Sequence, residues 1–253
     1  PICRDFVMTV AIEFCNVTKE YPLYHHIGSG IKDLFFHPRR ALNLLKGRKY
    51  LAIENVSFTV SKGESVALIG RNGAGKSTTL GLVAGVLKPS KGEVKVVGRV
   101  ASMLELGGGF HPELTGRENI KLNATLLGLR RAEVNKRLEK IIEFSELGEF
   151  IDEPIRVYSS GMLAKLGFSV ISQVDPDVLI IDEVLAVGDI AFQRKCIETI
   201  NEFRKRGVTI LFVSHSMKDV MQICDKVVWV ENHRLKAIGE ASSIVDEYVA
   251  SMA

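Results

Sequence analysis

Apolar residues along this chain follow two rhythms, and the switches between them outline its architecture. Short unbroken runs, Val66-Ala67-Leu68-Ile69, Val178-Leu179-Ile180-Ile181 and Leu211-Phe212-Val213, stop abruptly at glycine or polar residues. Runs of this length suit strands buried on both faces, as in a parallel sheet. Strands are predicted near Ala11 to Val17, Leu51 to Val60, Glu64 to Ile69, Glu93 to Val97, Val100 to Leu104, Val178 to Ile181, Val208 to Val213, Lys226 to Val230 and Leu235 to Ile238. Elsewhere the apolar spacing widens to a helical period, predicting helices near Gly116 to Leu127, Arg131 to Phe144, Gly161 to Gln173, Ile190 to Arg206, Met217 to Ile223 and Ala241 to Ser251. Thr115 with Glu118 forms a capping box at the first of them. A block of helices at about residues 112–176, set between strand-rich regions, predicts an α/β core with a β-subdomain and an inserted helical subdomain.

Composition narrows the class. At 253 residues, 46% hydrophobic and 25% charged, the chain can bury one large core. No apolar run approaches the roughly 20 residues needed to span a bilayer, and there is no secretory signal pattern, so a cytoplasmic protein is expected. The net charge of +3 is too small to imply a nucleic-acid partner. Cys3, Cys15, Cys196 and Cys224 show no C-x-x-C pairing and no histidine at metal spacing, so reduced thiols without zinc are expected. Met8 stands just before the first strand; a single domain over residues 8–253 is taken, with Pro1 to Val7 read either as residues added in cloning or as extra leader sequence.

The chemistry concentrates at Gly70-Arg71-Asn72-Gly73-Ala74-Gly75-Lys76-Ser77-Thr78. This fits the phosphate-loop pattern G-x-x-x-x-G-K-[ST], with a strand before it and a helix-compatible run after it. Gly70, Gly73 and Gly75 let successive N–H groups turn toward phosphate oxygens, and the following helix offers its positive end to the same anion. Lys76 would reach the β- and γ-phosphates, and the Ser77 hydroxyl would ligate Mg²⁺. Asn72 and Thr78, inside the motif, are taken with them as nucleotide-binding positions.

Downstream, Asp182-Glu183 follows a buried-type strand, at the end where α/β sheets bind ligands. Asp182 would hold the Mg²⁺ shell and Glu183 would polarise the attacking water as general base. Tyr158-Ser159-Ser160-Gly161-Met162 opens a helix and offers a second anion site; its bland reading is a serine N-cap.

Together these motifs resemble the ATP-binding cassette family over nearly the whole chain, with Ser159 and Gly161 matching its signature and Tyr158, Ser160 and Met162 departing from it. The resemblance implies a P-loop NTPase core of ABC type, ATP and Mg²⁺ as cofactors, and a head-to-tail homodimer that sandwiches ATP. It makes His215, in Val213-Ser214-His215, the switch histidine that meets the γ-phosphate and water. It likewise makes Asp189 the aspartate of the loop crossing to the partner, and Tyr21 the adenine-stacking aromatic. Glu105 stands nearest to the family's Mg²⁺-bridging glutamine. The run Ala101 to Asn119, with Tyr-Ser-Ser-Gly-Met and Asp-Glu-Val-Leu-Ala-Val-Gly-Asp, is similar to ATPase subunits of bacterial polysaccharide exporters for O-antigen, capsule and teichoic acid. That resemblance implies a polytopic membrane channel subunit, a lipid-linked glycan, most readily O-antigen, and a place on the cytoplasmic face of the inner membrane.

Residues 22–50 do not belong to a minimal cassette. Phe35, Phe36, Leu42, Leu44 and Leu45 stand beside Arg39, Arg40, Arg48 and Lys49 there, a mixture suited either to a membrane-side partner or to a surface excursion. Two rivals carry less: a soluble cassette ATPase of DNA repair or translation, which usually carries two cassettes or coiled-coil insertions, and a small-molecule kinase, which leaves Ser159 and His215 unexplained.

Overall fold

The computed structural model describes residues 9–22, 49–103, 109–182 and 189–252. Its strands sort into two sheets. β1 (Val10–Pro22) lies between β2 (Lys49–Ser61) and β4 (Lys91–Val96), antiparallel to both. The second sheet runs in the order β5 (Val100–Ser102), β6 (Val178–Ile181), β7 (Thr209–Phe212), β3 (Ser65–Ile69), β8 (Lys226–Glu231), β9 (Arg234–Glu240). It is parallel except for the β8–β9 hairpin.

Every residue of β3, β6 and β7 is buried, because both faces of this sheet are covered. Period-two alternation divides their side chains. Val66, Leu68, Val178, Ile180 and Leu211 face the three-stranded sheet and α1 (Lys76–Val83), where Phe14 and Phe58 stack at 4.5 Å. Ala67, Ile69, Leu179, Ile181 and Phe212 face a layer of helices: α4 (Ser160–Ser172), α5 (Ile190–Lys205), α6 (Met217–Ile223) and α7 (Ala241–Ala250). Truncating one such side chain to alanine costs about 2–5 kcal/mol, so the loops at the strand ends stand on a stiff platform.

A third cluster lies between β5 and β6 in the chain. It joins α2 (Gly116–Leu126), α3 (Arg131–Ser145) and the first part of α4 through Ile120, Val134, Leu138, Ile141, Leu166 and Val170. The Thr115 capping box forms: Thr115 Oγ1 accepts from Glu118 N–H at 3.2 Å, and Glu118 Oε2 accepts from Thr115 N–H at 2.9 Å. α4 belongs to two cores, since its Phe168 and Ile171 pack with the main sheet while Leu166 and Val170 pack with α2 and α3.

Several boundaries differ from expectation. β1 runs on past Val17 because Lys19, Glu20, Tyr21 and Pro22 keep pairing with β2, a ladder to which side-chain polarity is indifferent. β5 ends at Ser102, opposite Ile180, rather than at Leu104, which lies outside the described residues. A 3₁₀ turn at Ile155–Val157 precedes Tyr158 and was not anticipated. Cys196 and Cys224 are buried free thiols as expected, whereas Cys15 is disulfide-bonded.

Candidate nucleotide site

Strand register defines the site. Ile181, Phe212 and Ala67 stand level across β6, β7 and β3, so the chain that continues beyond each emerges on one edge of the sheet. That edge therefore carries Asp182, the Val213-Ser214-His215 segment and the loop beginning at Gly70. It is the carboxyl end of the parallel strands, where open α/β sheets bind ligands.

The Gly70 loop is held from two sides. A Cβ on Gly70 would lie 2.2 Å from the Val230 carbonyl oxygen, so β8 presses directly on its first residue. Gly75 has φ +108°, and a Cβ there would lie 2.5 Å from both the Ala52 oxygen and Ile53 Cγ2 of β2. Gly75 caps α1 without a side chain, and its carbonyl accepts from Thr79 N–H and Thr79 Oγ1 at 2.9 and 3.0 Å. No acidic residue occupies the first turn of α1, so its positive end is left for an external anion. Lys76 is 8% exposed, and its ammonium donates to the carbonyls of Gly70 at 2.7 Å and Arg71 at 3.2 Å. The cation thus folds back over its own loop. Asn72, Gly73 and Ser77 are exposed and Thr78 half-buried around it.

Asp182 is half-buried directly after β6. His215 is exposed, in a loop fixed on its far side by Ser216, which caps α6 through Asp219 N–H and donates its own N–H to Ser214 Oγ at 3.0 Å. Glu183 and Glu105 lie outside the described residues. Tyr21 is half-buried and stands opposite Tyr50 in the β1–β2 ladder, with Lys19 Nζ 5.1 Å from its ring centre. β2 carries this pair toward the loop, since its Ala52 abuts Gly75.

Ser159 and Gly161 belong to the start of α4, whose first part packs with the helical cluster, and not to the strands of the main sheet. Ser159 is the exposed N-cap of α4 and accepts from Met162 N–H at 3.2 Å. At 1.5 Å per residue it stands roughly 14 Å along the helix from Phe168, where α4 meets the main core. The first turn of α4 also lacks acidic residues, so a second positive helix end is presented at the surface. Gly161 has room around it, its nearest neighbour being Ser159 Oγ at 3.8 Å from a built Cβ. The departures from the signature are structural here: Tyr158 is buried and donates its hydroxyl to the Phe150 carbonyl at 2.6 Å, and Met162 packs against the helical core.

Asp189 is engaged within its own chain. Oδ1 caps α5 by accepting from Phe192 N–H at 2.9 Å, and Oδ2 lies 2.8 Å from Lys165 Nζ of α4. The Lys165 hydrogen bond, then that of Phe192, lowers its carboxyl to about 2.

Three features were missed from sequence. Tyr50 is 43% exposed and meets His233 edge-on at 5.9 Å, with His233 Nδ1 3.1 Å from the Ala52 oxygen. Arg71 of the loop donates from Nε to the Met252 sulfur at 3.4 Å, so the turn that follows α7 touches the nucleotide loop. The Lys165–Asp189 pair is the third. The first needs the β1–β2 register, which sets Tyr50 opposite Tyr21, and the other two depend on tertiary crossings.

The oxygen donors on this edge, the Ser77 hydroxyl and the Asp182 carboxylate, suit a hard cation such as Mg²⁺, which binds few protein ligands and keeps waters and phosphate oxygens.

Comparison with known proteins agrees with this geometry. The ABC transporter family pattern matches residues 53–186. The O-antigen export system ATP-binding protein RfbB of Klebsiella pneumoniae is 79% identical over 97% of this chain and 100% of its own. The teichoic acids export ATP-binding protein TagH of Staphylococcus epidermidis is 42% identical over 96% of this chain and 89% of its own. A solved ATP binding subunit of an ABC transporter superposes with a TM-score of 0.73 at 26% identity, covering 94% of this chain and 93% of that one. The chain belongs to the ABC transporter family, as one of its ATP-hydrolysing cassettes.

Proposed function

We propose that this chain is the ATPase subunit of an exporter that moves a lipid-linked polysaccharide, O-antigen by its kinship, across the inner membrane. The observation that carries the nucleotide chemistry is Lys76, whose cation is satisfied by the Gly70 and Arg71 carbonyls at the edge that also bears Asp182. A triphosphate entering the loop exchanges those carbonyls for phosphate oxygens. The bonds to the carbonyls carry charge on the donor alone, whereas those to phosphate carry it on both sides, so the exchange is favourable.

Each residue then has one task. The N–H groups of the Gly70–Thr78 loop and the α1 terminus bind the phosphates, and Tyr21 stacks on the base. Ser77 and Asp182 hold Mg²⁺, which when bound neutralises phosphate charge. Glu183 takes a proton from the attacking water, and His215 orients that water and the γ-phosphate. Ser159 and the α4 terminus serve the nucleotide held by a second copy, so hydrolysis requires a head-to-tail dimer.

Membrane passage falls to a separate polytopic subunit; among the described residues no helix is long and apolar enough to cross a membrane. The two ends of the segment 22–50 lie side by side, since Pro22 pairs with Lys49. Docking on that subunit is its proposed role, as the helical unit's is to relay motion.

The test is complementation of a strain lacking this gene. Wild type should restore long-chain surface polysaccharide, while Lys76→Ala and Glu183→Gln, expressed equally, should leave the lipid-linked polymer inside the cell. Restored export by Glu183→Gln would refute the coupling of hydrolysis to transport. Loss of a different surface polymer in the deletion strain would refute the cargo.

A further inference from the structure

Four charged side chains meet where α3, α4 and α5 converge. Lys165 Nζ of α4 lies 2.8 Å from Asp189 Oδ2 and 3.3 Å from Glu146 Oε2, and 5.0 Å from the Phe192 ring centre. Lys195 of α5 lies 3.2 Å from Glu146 Oε1, donates to the Phe144 carbonyl at 3.0 Å and sits 4.3 Å from the Phe144 ring centre. Beneath them the rings of Phe144, Phe168 and Phe192 pack at 5.9–6.3 Å. Glu146 is fixed in the left-handed region, φ 58°, as the C-cap of α3. Burial works to raise its carboxyl, but the bonds from Lys195 and Lys165 outweigh it and hold it below the usual value.

The placement of this cluster gives it a consequence beyond stability. Asp189 ends the segment that begins at Asp182 on the nucleotide edge, and Lys165 stands about 9 Å along α4 from Ser159. One ion pair therefore ties the N-cap of α5 to the helix that presents the second anion site. An exposed pair adds little to stability, yet it fixes the direction of α4 relative to α5. We infer that Lys165, held in place by Glu146 and Asp189, is a positioning residue: it fixes the run of α4 against α3 and α5 and so aligns Ser159 for the partner's phosphate. The inference rests on the head-to-tail reading.

A double-mutant cycle tests it. In a Glu183→Gln background, ATP-driven dimerisation is measured by sedimentation for the parent, Lys165→Met, Asp189→Asn and their combination. Asparagine still caps a helix, so Asp189→Asn removes chiefly the ion pair. Each single change should weaken dimerisation about tenfold, and the combination no further. Lys165→Arg should restore it, and ATP binding by the Lys165→Met monomer should match the parent. Parent-like dimerisation by Lys165→Met, or multiplying effects in the combination, would overturn the inference. Failure of the Glu183→Gln parent itself to dimerise would instead overturn the head-to-tail reading. Should Lys165→Met fold poorly, Glu146→Gln replaces it, with a partial loss of dimerisation expected and parent-like behaviour counting against the inference.

Discussion

Gly75→Ala probes how tightly β2 holds the nucleotide loop. The new methyl group would meet the Ala52 carbonyl and Ile53 Cγ2 at 2.5 Å, and both residues are at most 1% exposed in the core between the sheets. Neither can retreat without moving β2. Placing alanine at φ +108° costs about 1–2 kcal/mol, and forcing a methyl into filled space costs about 1–3 kcal/mol more. A loss of about 2–5 kcal/mol follows, and because relief comes most cheaply by shifting the loop, nucleotide affinity should fall as well. Gly73→Ala is the control. Its φ is +80° but nothing lies within 4 Å of its Cβ, so only the torsional part, about 1–2 kcal/mol, applies. Urea unfolding of both variants and of wild type, with isothermal titration of ATP, reads these terms. Equal destabilisation by the two substitutions would refute the contact with β2 as the constraint on the loop.

Other consequences are more local. Trp229 is the single tryptophan, pairs with Ile69 and touches Tyr248 edge-on at 5.2 Å, so its emission should change on ATP addition and fail to change in Lys76→Ala at the same concentration. Burial pushes the Cys196 thiol up to about 12 and raises Cys224 further, so neither should be alkylated by iodoacetamide at pH 8 until urea is added, as read by peptide mass spectrometry. Asp189 is held at about 2 against its usual 3.8. Its contribution is complete above 3.8 and is lost as pH falls through 2; solvent screening keeps that contribution small, so Asp189→Asn should be only slightly less stable than wild type at neutral pH and converge with it in acid unfolding.

The main sheet was legible because β3, β6 and β7 are short apolar runs ended by glycine, Asp182 or Ser214, a pattern that few other structures satisfy. The phosphate loop was legible for a different reason, since its glycines and Lys76 answer to backbone geometry that no other residues supply. The length of β1 was hidden, because pairing from Lys19 to Pro22 is a main-chain property to which side-chain polarity is indifferent. Lys165 was hidden too: its partners Glu146 and Asp189 come from other helices, and only the crossing of α3, α4 and α5 brings them together. Tyr50 fell between these cases, needing the exact β1–β2 register to be seen beside Tyr21.

The central claim is that Ser159 serves the nucleotide bound by another copy. Lys76→Ala disables a chain's own loop, and Ser159→Arg disables what it lends to its partner, so each variant alone should hydrolyse almost no ATP. A dimer of one copy of each keeps one intact site, made from the loop of the Ser159→Arg chain and the Ser159 of the Lys76→Ala chain. Single-turnover hydrolysis by an equimolar mixture, exchanged at random into dimers, should therefore recover roughly a quarter of the wild-type sites. A mixture no more active than its two components would place Ser159 at its own chain's nucleotide and contradict the account.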